Sequence, residues 1–276
     1  MTDTNKQKDI YFHVGLGKTA TTYLQYRFFP KMKGIHYLQR GKYRKADQII
    51  PKLPYDKILV SREFDRLLNP ACEWFSKHFP QARVIVVFRR HDSWIASQYR
   101  RFAKNGIHQS FDEFFDIEND KGKWRHSDLN YMNYIRIIEK YFKNKPLVLF
   151  QEDLKKDPFG FFDKIAQYTG STYDKNKISL RPVHTSYNEK QIKAVRKVSK
   201  YLFSNKAKAR GRTVRGWLQW RSQQIKSYLV MYTALLLPDS WFDDVELIPP
   251  DRLKKIKEIY TPDWEELKAY AEKYNP

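Results

Sequence analysis

The stretch Tyr11-Phe-His-Val-Gly-Leu-Gly-Lys-Thr-Ala-Thr-Thr-Tyr-Leu-Gln25 sets the frame for the rest of this 276-residue chain. Ile10 to Val14 alternate apolar and polar side chains as a strand does. Gly15 and Gly17 break that run, and Lys18 to Phe29 have a helical pattern. Strand, glycine turn and helix start together aim backbone N–H groups and the positive end of a helix dipole at one point. Lys18 adds a full charge, and Thr19, Thr21 and Thr22 add hydroxyl donors. The stretch is therefore a candidate grip on a phosphate or a phosphate-like group. A nucleotide P-loop ending at Gly17-Lys18-Thr19 would need its first glycine at position 12, where Phe12 stands.

Working outward, short apolar runs alternate with helical patterns. Gly34 to Leu38 predicts a short strand, and Gln39 to Asp56 a basic, irregular surface loop. Lys57 to Ser61 predicts a buried strand ending in the polar triplet Ser61-Arg62-Glu63. Asp65 to Phe79 has an amphipathic pattern whose start Pro70 delays. Ala82 to Phe88, β-branched and nearly all apolar, is the strongest strand, and a helix follows over Arg89 to Arg101. Phe111 to Ile117 and Asn130 to Phe142 read as helices, Pro146 to Phe150 as a strand, and Phe159 to Tyr168 as a helix. This alternation predicts an α/β fold with a parallel sheet, which places ligands at the carboxyl ends of its strands. Beyond Gly170 the strands stop. Ser186 to Phe203 predicts a basic helix capped by Ser186, Asn205 to Gly216 a flexible cationic loop, and Trp217 to Leu237 a second helix. Pro249-Pro250 opens a last helical pair that ends with Asp263 to Tyr274.

Charge narrows the classes of function. Against 31 Asp and Glu stand 52 Lys and Arg, a formal net charge of +21, which attracts polyanions, anionic membranes or anionic small molecules. A nucleic-acid binder fits that charge. Cys72, the single cysteine, excludes internal disulfides and Cys-cluster metal sites, and its helical surroundings mark a buried, inert thiol. The 19 Tyr, 18 Phe and 7 Trp are mostly core. No apolar run reaches the roughly 18 residues of a membrane span, and the polar start Met1 to Asp9 is no secretory signal. Together these predict a cytoplasmic protein.

His13-Val-Gly-Leu-Gly-Lys-Thr-Ala-Thr-Thr-Tyr-Leu-Gln25 resembles the 5′-phosphosulfate loop of sulfotransferases, which use 3′-phosphoadenosine 5′-phosphosulfate (PAPS). Bacterial and carbohydrate-type members carry His-hydrophobic-Gly-x-Pro-Lys-Thr-[Gly/Ala]-Thr-Thr-x-Leu-Gln there, and the main departure is Gly17 in place of Pro. A second stretch is similar to the family's Arg-x-Pro-x-x-x-x-x-Ser-x-Tyr. Arg89 ends the strongest strand, Ser97 follows eight residues later and Tyr99 after it, with His91 in place of Pro. An Arg fork grips a phosphate by two parallel bonds, and Ser97 lies two turns on, near the same helix face. The plain alternative is a strand-end arginine in solvent and a surface serine. Val148 to Pro158 is similar to a third family element, Glu-[Asp]-Leu-x-x-Asp-Pro, whose carboxylates belong to the scaffold. The resemblance covers about residues 10 to 170.

The resemblance implies one domain over 1–276, with a P-loop-like three-layer α/β/α core at 9–170 and a helical region at 171–276. It implies PAPS as donor, PAP as product, no metal, and sulfuryl transfer to a hydroxyl of a carbohydrate, polysaccharide or glycolipid. Lys18 would neutralise charge on the bridging oxygen. Gly17, Thr19, Ala20, Thr21 and Thr22 would hold the 5′ oxygens, and Arg89 and Ser97 the 3′-phosphate. Glu63 is the candidate general base, with an ion pair to an arginine as its structural alternative. His13, inside the first strand, reads as structural, and His184 as a residue at the site's edge. The segment Arg210 to Trp217 is only distantly similar to a family element over the 3′-phosphate and reads as a solvated basic loop. The basic helices across 190–237, with their apolar end Tyr228 to Leu237, either lie on an anionic membrane or bury that end in core. Two other classes stay open. A P-loop kinase using ATP and Mg²⁺ is disfavoured by Phe12 and by Arg89 where an Asp is expected. A non-catalytic nucleic-acid binder leaves the paired anion motifs unexplained, so no nucleic acid is expected.

Overall fold

Five of the short apolar runs assemble into one parallel sheet. The computed structural model describes residues 8–183, 187–203, 213–242, 244 and 246–276. The strands are β1 (Asp9–Gly15), β2 (His36–Leu38), β3 (Lys57–Glu63), β4 (Arg83–Phe88) and β5 (Leu147–Phe150), in the order β2-β3-β1-β4-β5, with every neighbouring pair parallel. The described α-helices of six residues or more are α1 (Leu68–His78), α2 (His91–Lys104), α3 (Tyr131–Tyr141), α4 (Gln151–Lys156), α5 (Pro158–Thr169), α6 (Glu189–Leu202), α7 (Val214–Ala234) and α8 (Pro250–Tyr274). The chain forms two units. Met1–Arg90, Asn130–His184 and Tyr260–Pro276 make the first, and His91–Leu129 and Thr185–Ile259 the second.

The first unit is the α/β core, and the two-residue period of its strands builds it in three layers. Tyr11, Leu59, Ile85, Val87, Leu147 and Leu149 face one way, onto Phe28, Phe29 and the Phe161, Phe162 and Ile165 face of α5. Phe12 faces the other way and stacks on Phe75 of α1 with ring centroids 3.9 Å apart. Each fully buried aromatic of this kind stabilises the fold by about 1.5–3 kcal/mol. Val84 to Phe88 are all buried, so the strongest strand is covered on both faces. Phe12 is therefore sheet core and no part of a glycine loop.

This strand order also locates a site. From β1 the chain goes out to β2, returns through β3, then passes β1 to reach β4. The reversal falls at β1, between β3 and β4, and open α/β sheets bind ligands at the carboxyl end of such a switch point.

Several local expectations are corrected. The helix after β1 does not begin at Lys18, because Lys18 and Ala20 take left-handed backbone angles, φ 71° and 65°. It starts at Thr21 with one α turn, widens to a π turn over Leu24–Phe28, and tightens to a 3₁₀ turn at Phe29–Lys31. Residues 39–56 are not irregular: Arg40–Lys45 and Ile50–Lys52 are 3₁₀ turns around Ala46–Ile49, pinned by buried Tyr43, Ala46 and Ile50. Helix stops early at Phe111–Phe114, because Phe115 is extended (φ −138°, ψ 95°). Among the described residues after Gly170 one more strand occurs, Thr172–Tyr173, antiparallel to Met32–Lys33.

In the second unit α6 is capped by Asn188, with Gln191 completing a capping box, and Ser186 lies outside the described residues. Thr213 caps α7, so Val214 to Gly216 are helical where a loop was expected, while 204–212 lie outside the described residues. The expected last helical pair is the single α8, with Pro262 inside it. Helix α7 packs on α6 through Ala234 on Ala194 and Met231 on Val195.

Candidate active site

Gly15 closes β1 and permits the turn that follows. A Cβ there would meet Thr21 Oγ1 at 2.1 Å, so only glycine lets the chain fold back this closely over the strand end. Lys18 and Ala20 then alternate in left-handed conformations, at a cost of about 1–2 kcal/mol each for L-residues. Turns of this kind make concave clusters of backbone N–H groups that receive anions.

The threonines brace the turn from inside. Thr19 Oγ1 donates to the Leu16 carbonyl at 2.7 Å, and Thr21 Oγ1 donates to the same carbonyl at 3.3 Å. Both side chains are buried. Their hydroxyls thus hold the loop's shape, while Lys18 is exposed and Thr22 half-buried.

The neighbouring strand end is tied to this loop. Glu63 pairs in register with Gly15, and the Phe64 N–H donates to the Gly15 carbonyl at 3.1 Å. The candidate base and the anion loop are therefore brought side by side. Asp65, which the sequence did not single out, accepts a hydrogen bond from the Gly17 N–H at 2.6 Å. A left-handed φ of 35° at Asp65 accompanies that contact. At this one N–H of the loop the acceptor is an anionic oxygen. In this structure the Gly17 N–H is engaged by Asp65.

On the other side of β1, β4 delivers Arg89, half-buried, to the same end of the sheet. Its backbone is held firmly. The Tyr131 hydroxyl donates to the Arg89 carbonyl at 2.8 Å, and the Arg90 N–H donates to Glu152 Oε1 at 3.1 Å. Tyr131 is fixed in turn, because the N–H groups of Tyr131 and Met132 both donate to the Asp263 carboxylate. Burial pushes the Tyr131 phenol well above its ordinary pKa, so it stays a hydroxyl donor. Glu152 and Asp157 are scaffold, the latter capping α5 through the Gly160 N–H at 3.0 Å. Ser97 lies on α2 in the second unit, half-buried. His184 lies outside the described residues.

Beneath the loop runs a buried polar chain. His13 is fully buried; its Nδ1 is 2.8 Å from Ser61 Oγ, which accepts from Gln25 Nε2 at 2.9 Å. Burial lowers the His13 pKa to about 3, so the ring is neutral and structural. Cys72 is buried too, its thiol pushed up to about 12, which makes it inert as a nucleophile.

No family model matches the sequence, and no curated protein matches it. Among solved structures the chain is similar to a sulfotransferase from Alicyclobacillus acidocaldarius, with a TM-score of 0.48 and 11% identity over 85% of this chain and 98% of that one. It is also similar to mouse sulfotransferase SULT7A1 complexed with PAP, with a TM-score of 0.43 and 16% identity over 98% of this chain and 90% of that one.

Proposed function

We propose that this chain is a sulfotransferase that moves a sulfuryl group from PAPS to a hydroxyl of a carbohydrate or glycolipid acceptor. One observation carries the reading. A left-handed turn bearing Lys18 stands at the carboxyl end of the central strand, with Glu63 beside it on one neighbouring strand and Arg89 at the end of the other.

Each residue then has a task suited to its place. Lys18, exposed at the tip of the turn, neutralises negative charge on the departing 5′-phosphate, the role a cation plays in group transfer with little covalent help from the protein. Loop N–H groups and Thr22 receive the 5′ oxygens, while Thr19 and Thr21 keep the loop in shape. Arg89, on a backbone fixed by Tyr131 and Glu152, binds the 3′-phosphate. Bound there, the donor supplies the sulfuryl group, whose bond to the 5′-phosphate breaks as the bond to the acceptor oxygen forms. Glu63 takes the acceptor's proton.

The test is PAP release from PAPS in the presence of soluble sugars, polysaccharides and glycolipids, by the parent chain and by Glu63→Gln. Release that needs an acceptor and falls about a hundredfold or more in the variant supports the reading. Acceptor-dependent release that survives Glu63→Gln removes Glu63 as base, and no release with any acceptor class removes the reading itself.

A further inference from the structure

Helix α7 is apolar on two opposite sides. One side, with Met231 and Ala234, is buried against α6. The other carries Val214, Leu218, Ile225, Leu229 and Tyr232, with Leu236 just past the helix end. Steps of three, four and seven residues put them in one stripe along the helix. All six are exposed, from 55% at Leu218 to 86% at Leu236. Single exposed apolar residues are ordinary, but six along one side of a helix, interrupted only at the turn that carries Arg221 and Ser222, mark a contact surface. Arg215, Arg221 and Lys226, all exposed, lie along its two edges. From Lys190 to Pro238 the sequence contains no acidic residue at all.

We propose that this face of α7 lies on an anionic membrane surface, with the stripe at the headgroup boundary and Arg215, Arg221 and Lys226 against lipid phosphates. The charge decides between occupants. A second copy of the chain would set the same cations against one another, with no acidic side chain on the helix to pair them. A nucleic acid would answer the cations and leave the apolar stripe in water. An anionic bilayer answers both. Lying on the surface is the mode that fits, since among the described residues no helix is long and apolar enough to cross a membrane. The proposal goes beyond the sulfotransferase reading and does not depend on it, because its test uses neither donor nor acceptor.

The full chain is floated with vesicles of phosphatidylcholine alone and with vesicles containing about one-third phosphatidylserine. It floats with the second kind only, and less as salt is raised. Each of Arg215→Gln, Arg221→Gln and Lys226→Gln lowers the partition coefficient about fivefold. Ile225→Asp/Leu229→Asp lowers it more than about tenfold with an unchanged Tm, because both side chains are in solvent. Should that pair unfold the protein, Leu229→Ser gives the same reading more gently. Absence of flotation with either vesicle overturns the proposal, as does flotation unaffected by a folded stripe variant. A concentration-dependent dimer that the stripe variant dissolves overturns it too, and assigns the face to a second copy.

Discussion

The loop after β1 and the outer face of α7 both present positive charge to solvent, and they do so by opposite means. In the loop one cation, Lys18, stands on a turn whose shape is enforced by Gly15, by two buried hydroxyls and by the Asp65 carboxylate. On α7 three cations stand in solvent along an apolar stripe. The first arrangement fixes direction and suits a single anionic group in one geometry. The second fixes only proximity and suits a surface on which many anions are equivalent. The difference predicts that single substitutions have large effects in the loop and small ones on the helix.

The largest effect is expected at Lys18. Lys18→Met should lower kcat by about a hundred- to a thousandfold, with Tm changed little because the side chain is exposed. Equal losses from Lys18→Met and Arg221→Gln would erase the contrast.

Next comes the frame beneath the loop. His13 has a folded pKa near 3 against an ordinary value of 6.5, so the unfolded chain binds the proton more readily. Its contribution is fully present above pH 6.5 and lost as pH falls toward 3, at about 1.4 kcal/mol per pH unit. Urea midpoints measured from pH 7 downward should show this slope in the parent chain and a flatter one in His13→Asn. An identical slope in both would remove His13 from the frame.

Asp65 sharpens the contrast from the anionic side. Asp65→Asn removes a negative charge that shares the loop with the incoming phosphate, and should tighten PAP binding about fivefold. The same change weakens a charge-assisted bond to Gly17, so Tm should fall by about 2 °C. Calorimetric titration and a melt check the two halves. Looser PAP binding in this variant would make Asp65 a necessary part of the loop and no competitor for it.

The smallest effect is on α7. Arg221→Gln should leave kcat with a soluble acceptor unchanged within about twofold, since an exposed surface charge has little reach through solvent.

Much of this was legible in the sequence, and the exceptions share a physical cause. The sheet could be read because β4 and β1 are β-branched or aromatic runs that only a doubly covered strand can bury. The turn after β1 could be read because Gly15 and Gly17 end the strand run. The helix start was misplaced because the left-handed residues are Lys18 and Ala20, where glycine would be the expected sign. Asp65 was invisible because its contact with Gly17 depends on one backbone angle, while its sequence neighbourhood is ordinary. The apolar end Tyr228 to Leu237 could be read as core or as surface, and it is both: Met231 and Ala234 face inward, while Leu229, Tyr232 and Leu236 face water. Two opposed stripes cancel as an amphipathic signal, so only packing separates them.

The central claim is that the loop and Arg89 together receive a nucleotide carrying phosphates at both 5′ and 3′ positions. Its most direct test is thermal stabilisation by PAP, in EDTA, against ADP at the same concentration. At about a hundred times its Kd a ligand adds about 2.7 kcal/mol, a rise of about 5 °C for a chain of this size. The account predicts that rise with PAP, a much smaller one with ADP, and a loss of most of the difference in Arg89→Ala. Equal shifts with the two nucleotides, or none with PAP, would contradict it.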